Sequence, residues 1–71
     1  MEYLLVRYPQ SRTVLIDGAD QGRTNRLIEL AAGTYTVTLA PPADFAPKRR
    51  RVRLRDTSPI VPKAVAFAPR A

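Results

Sequence analysis

The basic segment 48–55, of sequence KRRRVRLR, is the part of this chain whose side chains could do chemistry. On a β-strand alternate residues share a face, so every second arginine would lie about 6.6 Å from the next along one side. The four arginines on that side are Arg49, Arg51, Arg53 and Arg55. Guanidinium groups grip phosphate, sulfate or carboxylate through paired hydrogen bonds. The pattern therefore predicts an anion-binding row whose spacing resembles that of consecutive phosphates.

A different interpretation of this row stays open. Like charges on an outer strand also keep a sheet edge in solvent and guard it against aggregation. A nearby carboxylate, Glu29 or Asp56, could also neutralise part of the row across strands. The row contains no aromatic side chain, so base stacking is not indicated, whereas contact with a nucleic-acid backbone remains open.

Catalytic groups are scarce in this sequence. It has neither His nor Cys, so it lacks the usual zinc ligands, the usual bases for nucleophilic catalysis and any possible disulfide. Lys48 and Lys63 do not fall in apolar surroundings, and turn chemistry accounts for Asp17 and Asp20. We predict that the protein is not an enzyme and that it uses no metal and no cofactor.

Composition limits the architecture and the partners. A chain of 71 residues makes one domain, 1–71, and its formal charge of +6 favours anionic partners or simply solubility. Its start has Glu2 where a signal peptide is basic, and the apolar run after it is short. No stretch approaches the length of a membrane span. The expected location is cytoplasmic.

Short alternating strands separated by glycine and proline predict an all-β fold. The strands are expected at 2–8, 12–17, 23–30, 34–40, 48–55 and 61–67, with a turn at 18–22 and a loose tail at 69–71. Phe45 should plug the loop before the basic strand. The first strand is apolar on both faces, so we treat it as an outer strand whose exposed residues form a protein interface. These residues are Tyr3, Leu5 and Arg7.

From residue 12 to residue 68 the chain resembles a PEGA domain. The matching features are a strand ending in Asp17-Gly18, Gly22 with Thr24, and a Leu-x-Ala-Gly-x-Tyr-x-Val segment that starts at Leu30. The chain departs from the family pattern at three places, where Asn25 replaces a proline, Asp44 replaces a glycine, and Asp56 with its two successors replaces a hairpin glycine.

The resemblance implies a small transthyretin-like β-sandwich of six or seven antiparallel strands, with residues 1–8 as an added strand. It also implies a bacterial protein-contact module without a defined activity. We therefore predict a non-catalytic interaction or scaffolding module that binds a protein partner, with self-association through edge strands as one form. The alternative is an anion-binding module, for nucleic acid, acidic lipid or polysaccharide, that acts through the arginine row.

Overall fold

The structure is a computed structural model that describes residues 1–70. Within them the chain forms nine β-strands and no helix. The strands are β1 Glu2–Arg7, β2 Thr13–Ile16, β3 Ala19–Arg23, β4 Leu27–Leu30, β5 Gly33–Leu39, β6 Phe45–Ala46, β7 Arg50–Leu54, β8 Lys63–Ala66 and β9 Ala68–Pro69.

Two sheets and a short ribbon make up the domain, which confirms the predicted small all-β fold. The first sheet has the order β4-β1-β8, the second has the order β3-β2-β5-β7, and β6 pairs with β9. All pairs are antiparallel except β1 with β8, which is parallel. The count exceeds the expected six or seven strands because β3 and the short strands β6 and β9 were not predicted.

The core lies between the inner faces of the two sheets, because period-two alternation turns every second side chain inward. Its buried residues come from nearly every strand: Leu4, Val6, Tyr8, Val14, Ile16, Ile28, Val37, Leu39, Phe45, Val52, Leu54, Val65 and Phe67. Phe45 meets Phe67 edge to face, with 5.7 Å between ring centroids. Such a pair adds about 0.5–1.5 kcal/mol to the burial of its rings. The prediction that Phe45 packs its loop onto the core is confirmed.

A two-residue turn, Asp17-Gly18, joins β2 to β3. Both residues have positive φ, +51° and +86°, as a hairpin loop that matches the twist of its strands requires. The predicted turn at 18–22 is therefore wrong, because the chain is already back in a strand at Ala19. Polar, exposed residues in β3 hid this strand from an argument based on apolar alternation.

The end of the chain also differs from expectation. The last long strand begins at Lys63 rather than Val61, because Pro62 has no N–H to donate. The predicted tail at 69–71 is wrong at its first two residues. Pro69 pairs with Phe45 in β9, and the Arg70 N–H donates to the Asp44 carbonyl at 2.8 Å. Ala71 lies outside the described residues.

Gly22 offers a test of how tightly the sheets meet. A Cβ at this position would lie 2.9 Å from Cγ1 of the buried Ile28. We expect Gly22→Ala to lower the free energy of unfolding by about 1–3 kcal/mol through overpacking. Urea unfolding measures this, and Gln21→Ala on the same exposed strand serves as the control, with a change within about 0.5 kcal/mol. Equal stability of the two variants would show that Ile28 has room to move.

Candidate functional site

The outer face of the first sheet carries the predicted interface residues. Leu4 and Val6 are buried, so Tyr3, Leu5 and Arg7 point to the opposite side. Tyr3 and Leu5 are half-buried, and Arg7 is exposed. The structure thus brings the three residues to one face, while their role as an interface stays a prediction.

Neighbouring strands extend this face. Leu5 lies opposite Leu27 on β4 and opposite Ala64 on β8, which makes the centre of the face apolar. Leu27 remains 44% exposed. We call this surface the first-sheet face; its residues are Tyr3, Leu5, Arg7, Leu27, Glu29, Ala64 and Ala66.

The two charges of the first-sheet face lie at opposite ends of its strands. Glu29 is opposite Tyr3, whereas Arg7 is opposite Ala66, four residues further along β1. At about 3.3 Å per residue, the two charged positions are about 13 Å apart along the strand. Neither side chain forms an ion pair with any of residues 1–70. Within the described residues, neither charge is neutralised by an ionic partner.

The prediction that the first strand lies at the outside of its sheet is wrong. The backbone of β1 pairs with β4 along one side and with β8 along the other. A second chain cannot add a strand there, because no unpaired backbone edge remains. The edge strands are β4 and β8 in the first sheet and β3 and β7 in the second. Any contact through Tyr3, Leu5 and Arg7 must use side chains.

Asn25 fastens the carboxyl end of β1. Its backbone N–H donates to the Val6 carbonyl at 2.7 Å, and its Nδ2 donates to the Tyr8 carbonyl at 2.6 Å. The Tyr8 N–H donates in turn to Asn25 Oδ1 at 3.2 Å. The amide side chain thus satisfies both backbone groups of Tyr8, as a neighbouring strand would. Asn25 has a φ of +64°, a conformation that asparagine adopts more readily than most residues.

Thr57 fastens the amino end of β1. The Tyr3 N–H donates to Thr57 Oγ1 at 2.7 Å. The hydroxyl and the backbone N–H of Thr57 both donate to Glu2 Oε1, at 2.6 and 2.9 Å. The hydroxyl bond, and after it the backbone bond, lowers the pKa of Glu2 because both stabilise the charged carboxylate.

Arg12 organises the loop that follows β5, and the sequence argument missed it. Its Nη1 and Nη2 donate to the two carboxylate oxygens of Asp44 at 3.0 and 3.2 Å. Nη1 also faces the carbonyls of Ala40 and Pro42, at 3.3 and 3.1 Å. The guanidinium lies 5.4 Å from the centroid of the Tyr8 ring, within cation–π range.

The pairing of Arg12 with Asp44 changes the pKa of both groups. Hydrogen bonding to Arg12 is the main cause that lowers the pKa of Asp44, and the same bonds raise the pKa of Arg12. Only 14% of the Arg12 side chain is exposed, against 48% of Asp44. The sequence signal for this pair was the acid at position 44, where the family pattern has a glycine.

The outer face of the second sheet carries the centre of the arginine row, as predicted. Val52 and Leu54 of β7 are buried, so Arg51 and Arg53 point outward, and both are exposed. We call this surface the second-sheet face; it consists of Arg51 and Arg53 on β7 and Thr34, Thr36 and Thr38 on β5. In the register of the sheet, Thr36 lies opposite Arg51, and Thr34 lies opposite Arg53.

The outer members of the row flank the strand, because β7 covers Arg50–Leu54 and the predicted strand 48–55 is too long at both ends. Arg49 precedes β7 and is exposed. Arg55 follows it and lies 3.5 Å, Nε to Oδ2, from Asp56 on the open surface. Glu29 sits in the other sheet, so the proposed neutralisation by that residue across strands is wrong.

The turn aspartates are used locally or lie away from the row. The Thr36 N–H donates to Asp17 Oδ1 at 2.8 Å, while the Asp17 N–H donates to the Thr36 carbonyl at 2.8 Å. Asp20 lies opposite Leu15, on the far edge strand β3. Within residues 1–70, Arg51 and Arg53 make no ion pair and no side-chain hydrogen bond.

Among residues 1–70 no three His, Cys, Asp or Glu side chains lie close enough together to hold a metal ion. No helix in the described chain is long and apolar enough to cross a membrane. Lys48 and Lys63 are both exposed.

The family model of the PEGA domain matches residues 8–60, most of the chain. The chain belongs to the PEGA domain family. No curated protein and no solved structure matches it. Strand β1 precedes the matched PEGA residues, and β8 and β9 follow them. Asn25 and Asp44, two of the departures from the PEGA pattern, each take part in these contacts, Asn25 at the end of β1 and Asp44 with Arg12 in the loop after β5.

Asn25→Gly should loosen the end of β1. The change keeps the backbone conformation but leaves both backbone groups of Tyr8 without their side-chain partner. We expect a loss of about 1–3 kcal/mol in the free energy of unfolding, with faster hydrogen exchange at the Tyr8 amide. Asn25→Pro should cost more, because proline cannot adopt the positive φ or donate to Val6.

The neighbouring exposed Arg26 supplies the control for this test. Its side chain makes no hydrogen bond within the described residues, so Arg26→Ala should change the free energy of unfolding by no more than about 0.5 kcal/mol. If Asn25→Gly proved as stable as Arg26→Ala, the amide would not be fastening β1.

Acid should weaken the fastening at Glu2. A carboxylate whose pKa is lowered on folding stabilises the fold fully above its ordinary value, here 4.5, and loses that contribution as the pH falls through the lower folded value. The stability difference between wild type and Glu2→Gln should therefore be constant near neutral pH and shrink in acid. Urea unfolding across this range measures it. Glu29→Gln is the matched control, and a pH-independent Glu2 difference would contradict the assignment.

Proposed function

We propose that this PEGA protein is a non-catalytic interaction module whose partner is a second copy of the chain, bound through the first-sheet face. The observation that carries the proposal is the arrangement of that face, an apolar centre at Leu5 and Leu27 with Arg7 and Glu29 at opposite ends. This arrangement is complementary to itself, as a symmetric dimer interface must be.

The charges select one way of stacking the two faces. A two-fold axis in the plane of the interface, at right angles to β1, superposes the Leu5 regions of the two copies. It also places Arg7 of each copy over the end of the partner's first-sheet face where the Glu29 position lies. An axis parallel to β1 would instead bring Arg7 over Arg7 of the other copy, which like-charge repulsion disfavours.

The apolar centre supplies the driving force for this contact. Burial of apolar surface yields about 25 cal/mol per Å², whereas an exposed ion pair is worth only about 0.2–1 kcal/mol. Leu27 is 44% exposed in the single chain, and the half-buried Leu5 lies beside it. The ion pairs therefore set the orientation of the dimer more than its affinity.

The size of the domain also supports association. A chain of about this length buries only about 60% of its unfolded surface, so its own core gives the single chain little excess free energy of unfolding. The sequence has no Cys, so disulfides cannot add to its stability. The lack of His and Cys also supports a binding role over catalysis.

Charge exchange tests the proposed dimer. Arg7→Glu and Glu29→Arg should each weaken association by about 2- to 30-fold, because two exposed ion pairs at about 0.2–1 kcal/mol each are lost from the symmetric interface. The double variant Arg7→Glu/Glu29→Arg should restore it. Sedimentation equilibrium over a range of concentrations measures the dissociation constant.

Two further variants complete the design. Leu27→Ser should weaken association while lowering the free energy of unfolding of the monomer by less than the ~2–5 kcal/mol of a core truncation, since 44% of Leu27 is exposed. Arg26→Glu carries the same charge change as Arg7→Glu but lies outside the first-sheet face. A wild type that stays monomeric at all concentrations, or a double variant no better than the single ones, would overturn the proposal.

A further inference from the structure

The second-sheet face holds cationic groups that form no ion pair and no side-chain hydrogen bond within residues 1–70. Arg51 and Arg53 project from an edge strand, are exposed, and have threonines rather than acids as cross-strand neighbours. Like charges about 6.6 Å apart along a strand repel each other unless an anion lies beside them. The positive charges of this face therefore repel each other in the isolated chain, and a bound anion would relieve the repulsion.

We propose that the second-sheet face binds the phosphate backbone of duplex nucleic acid without reading its sequence. This function goes beyond the dimer, because it uses the other sheet and needs no second copy. Arg51 and Arg53 supply the central contacts, and Arg49 and Arg55, which flank β7, add positive charge beyond its two ends. Arg55 contributes less than the central pair, because Asp56 already lies 3.5 Å from its Nε.

The geometry of the row suits a polymer with one charge in each repeat. Arginines at alternate positions of a strand form a line with regular spacing. Guanidinium groups bind phosphate oxygens through paired hydrogen bonds, and the hydroxyls of Thr34 and Thr36 add donors beside them. Side chains of these types make the contacts that position a protein on a nucleic-acid backbone.

The side chains of this face favour the backbone over the bases. Single-stranded nucleic acid is usually held by stacking bases on exposed aromatic rings. Tyr35, the aromatic residue of β5, packs against the core instead, and its hydroxyl donates to the Ala31 carbonyl at 2.6 Å. A duplex keeps its bases inside and presents phosphates outside, so it fits a face of arginine and threonine better than an unpaired strand does.

The position of β7 also leaves the row accessible. It is the last strand of the second sheet and pairs only with β5. The backbone of a long polyanion can therefore lie along β7 without meeting another strand of the sheet. Asp17, beyond the end of β2, accepts from the Thr36 N–H, and Asp20 lies on β3, so neither acid is on the strand that pairs with β7.

Salt dependence supplies a quantitative test. Each phosphate that a cation neutralises contributes about −0.9 to the slope of log K against log salt. The probe is a fluorescently labelled duplex DNA of mixed sequence, titrated by anisotropy between about 50 and about 200 mM salt. We expect Arg51→Gln/Arg53→Gln to weaken binding and to reduce the steepness of the slope by about 1.8 relative to wild type.

A control variant separates a defined site from general charge. Arg26→Gln/Arg70→Gln removes the same net charge from exposed positions outside the row, so it should keep nearly the wild-type slope. Both variants should unfold within about 0.5 kcal/mol of wild type, because all four side chains are exposed and make no side-chain hydrogen bond or ion pair with the described part of the chain. An equal loss of slope in the two variants would show diffuse attraction and overturn the proposal.

Other anions complete the test. Binding to duplexes of unrelated sequence should be equally tight, since the face contacts phosphates alone. Binding only to single-stranded DNA, only to heparin, or only to vesicles with anionic lipid would each overturn the assignment to duplex nucleic acid. Failure to bind duplex DNA at low salt would overturn it directly, while leaving the dimer through the first-sheet face unaffected.

Discussion

The capture of β1 between β4 and β8 is the interaction on which the rest of the structure depends. It completes the backbone pairing of the first sheet and carries Leu4 and Val6 into the core. Asn25 holds one end of the strand and Thr57 holds the other, through bonds that reach across 17 and 54 positions of the chain. The backbone pairing of β1 makes β4 and β8 neighbours of a common strand, and these bonds hold the two ends of that strand in place.

The two sheets share a core but present different outer faces. Period-two alternation gives every strand an inner and an outer row, so the chemistry of the outer row is free to differ between the sheets. In the first sheet this row is apolar with one charge at each end, which suits a surface of the same kind. On β5 and β7 of the second sheet it combines threonine and arginine, which suits oxyanions.

Arginine has two unrelated roles in this domain. Arg12 is largely enclosed, and its guanidinium contacts Asp44, two loop carbonyls and the Tyr8 ring. Its role is therefore to stabilise the fold. Nearby, the buried Thr24 joins the same region, since its hydroxyl donates to the Gln10 carbonyl and accepts from the Arg12 N–H. Arg51 and Arg53 have no such partners among the residues that the structure describes. Composition shows the excess of arginine, but only the contacts separate structural residues from available ones.

The sequence by itself determined the strand class, the core pattern and the orientation of the arginine row. The alternation of apolar and polar residues around Val37 and Val52 predicts these properties, because the two-residue period follows from the local geometry of the strand backbone. Tertiary structure alone decided that β1 is central, that it runs parallel to β8, and that Asn25, Thr57 and Arg12 find their partners. These pairings join residues far apart along the chain, so they follow from how the two sheets close over one core, which no local pattern encodes.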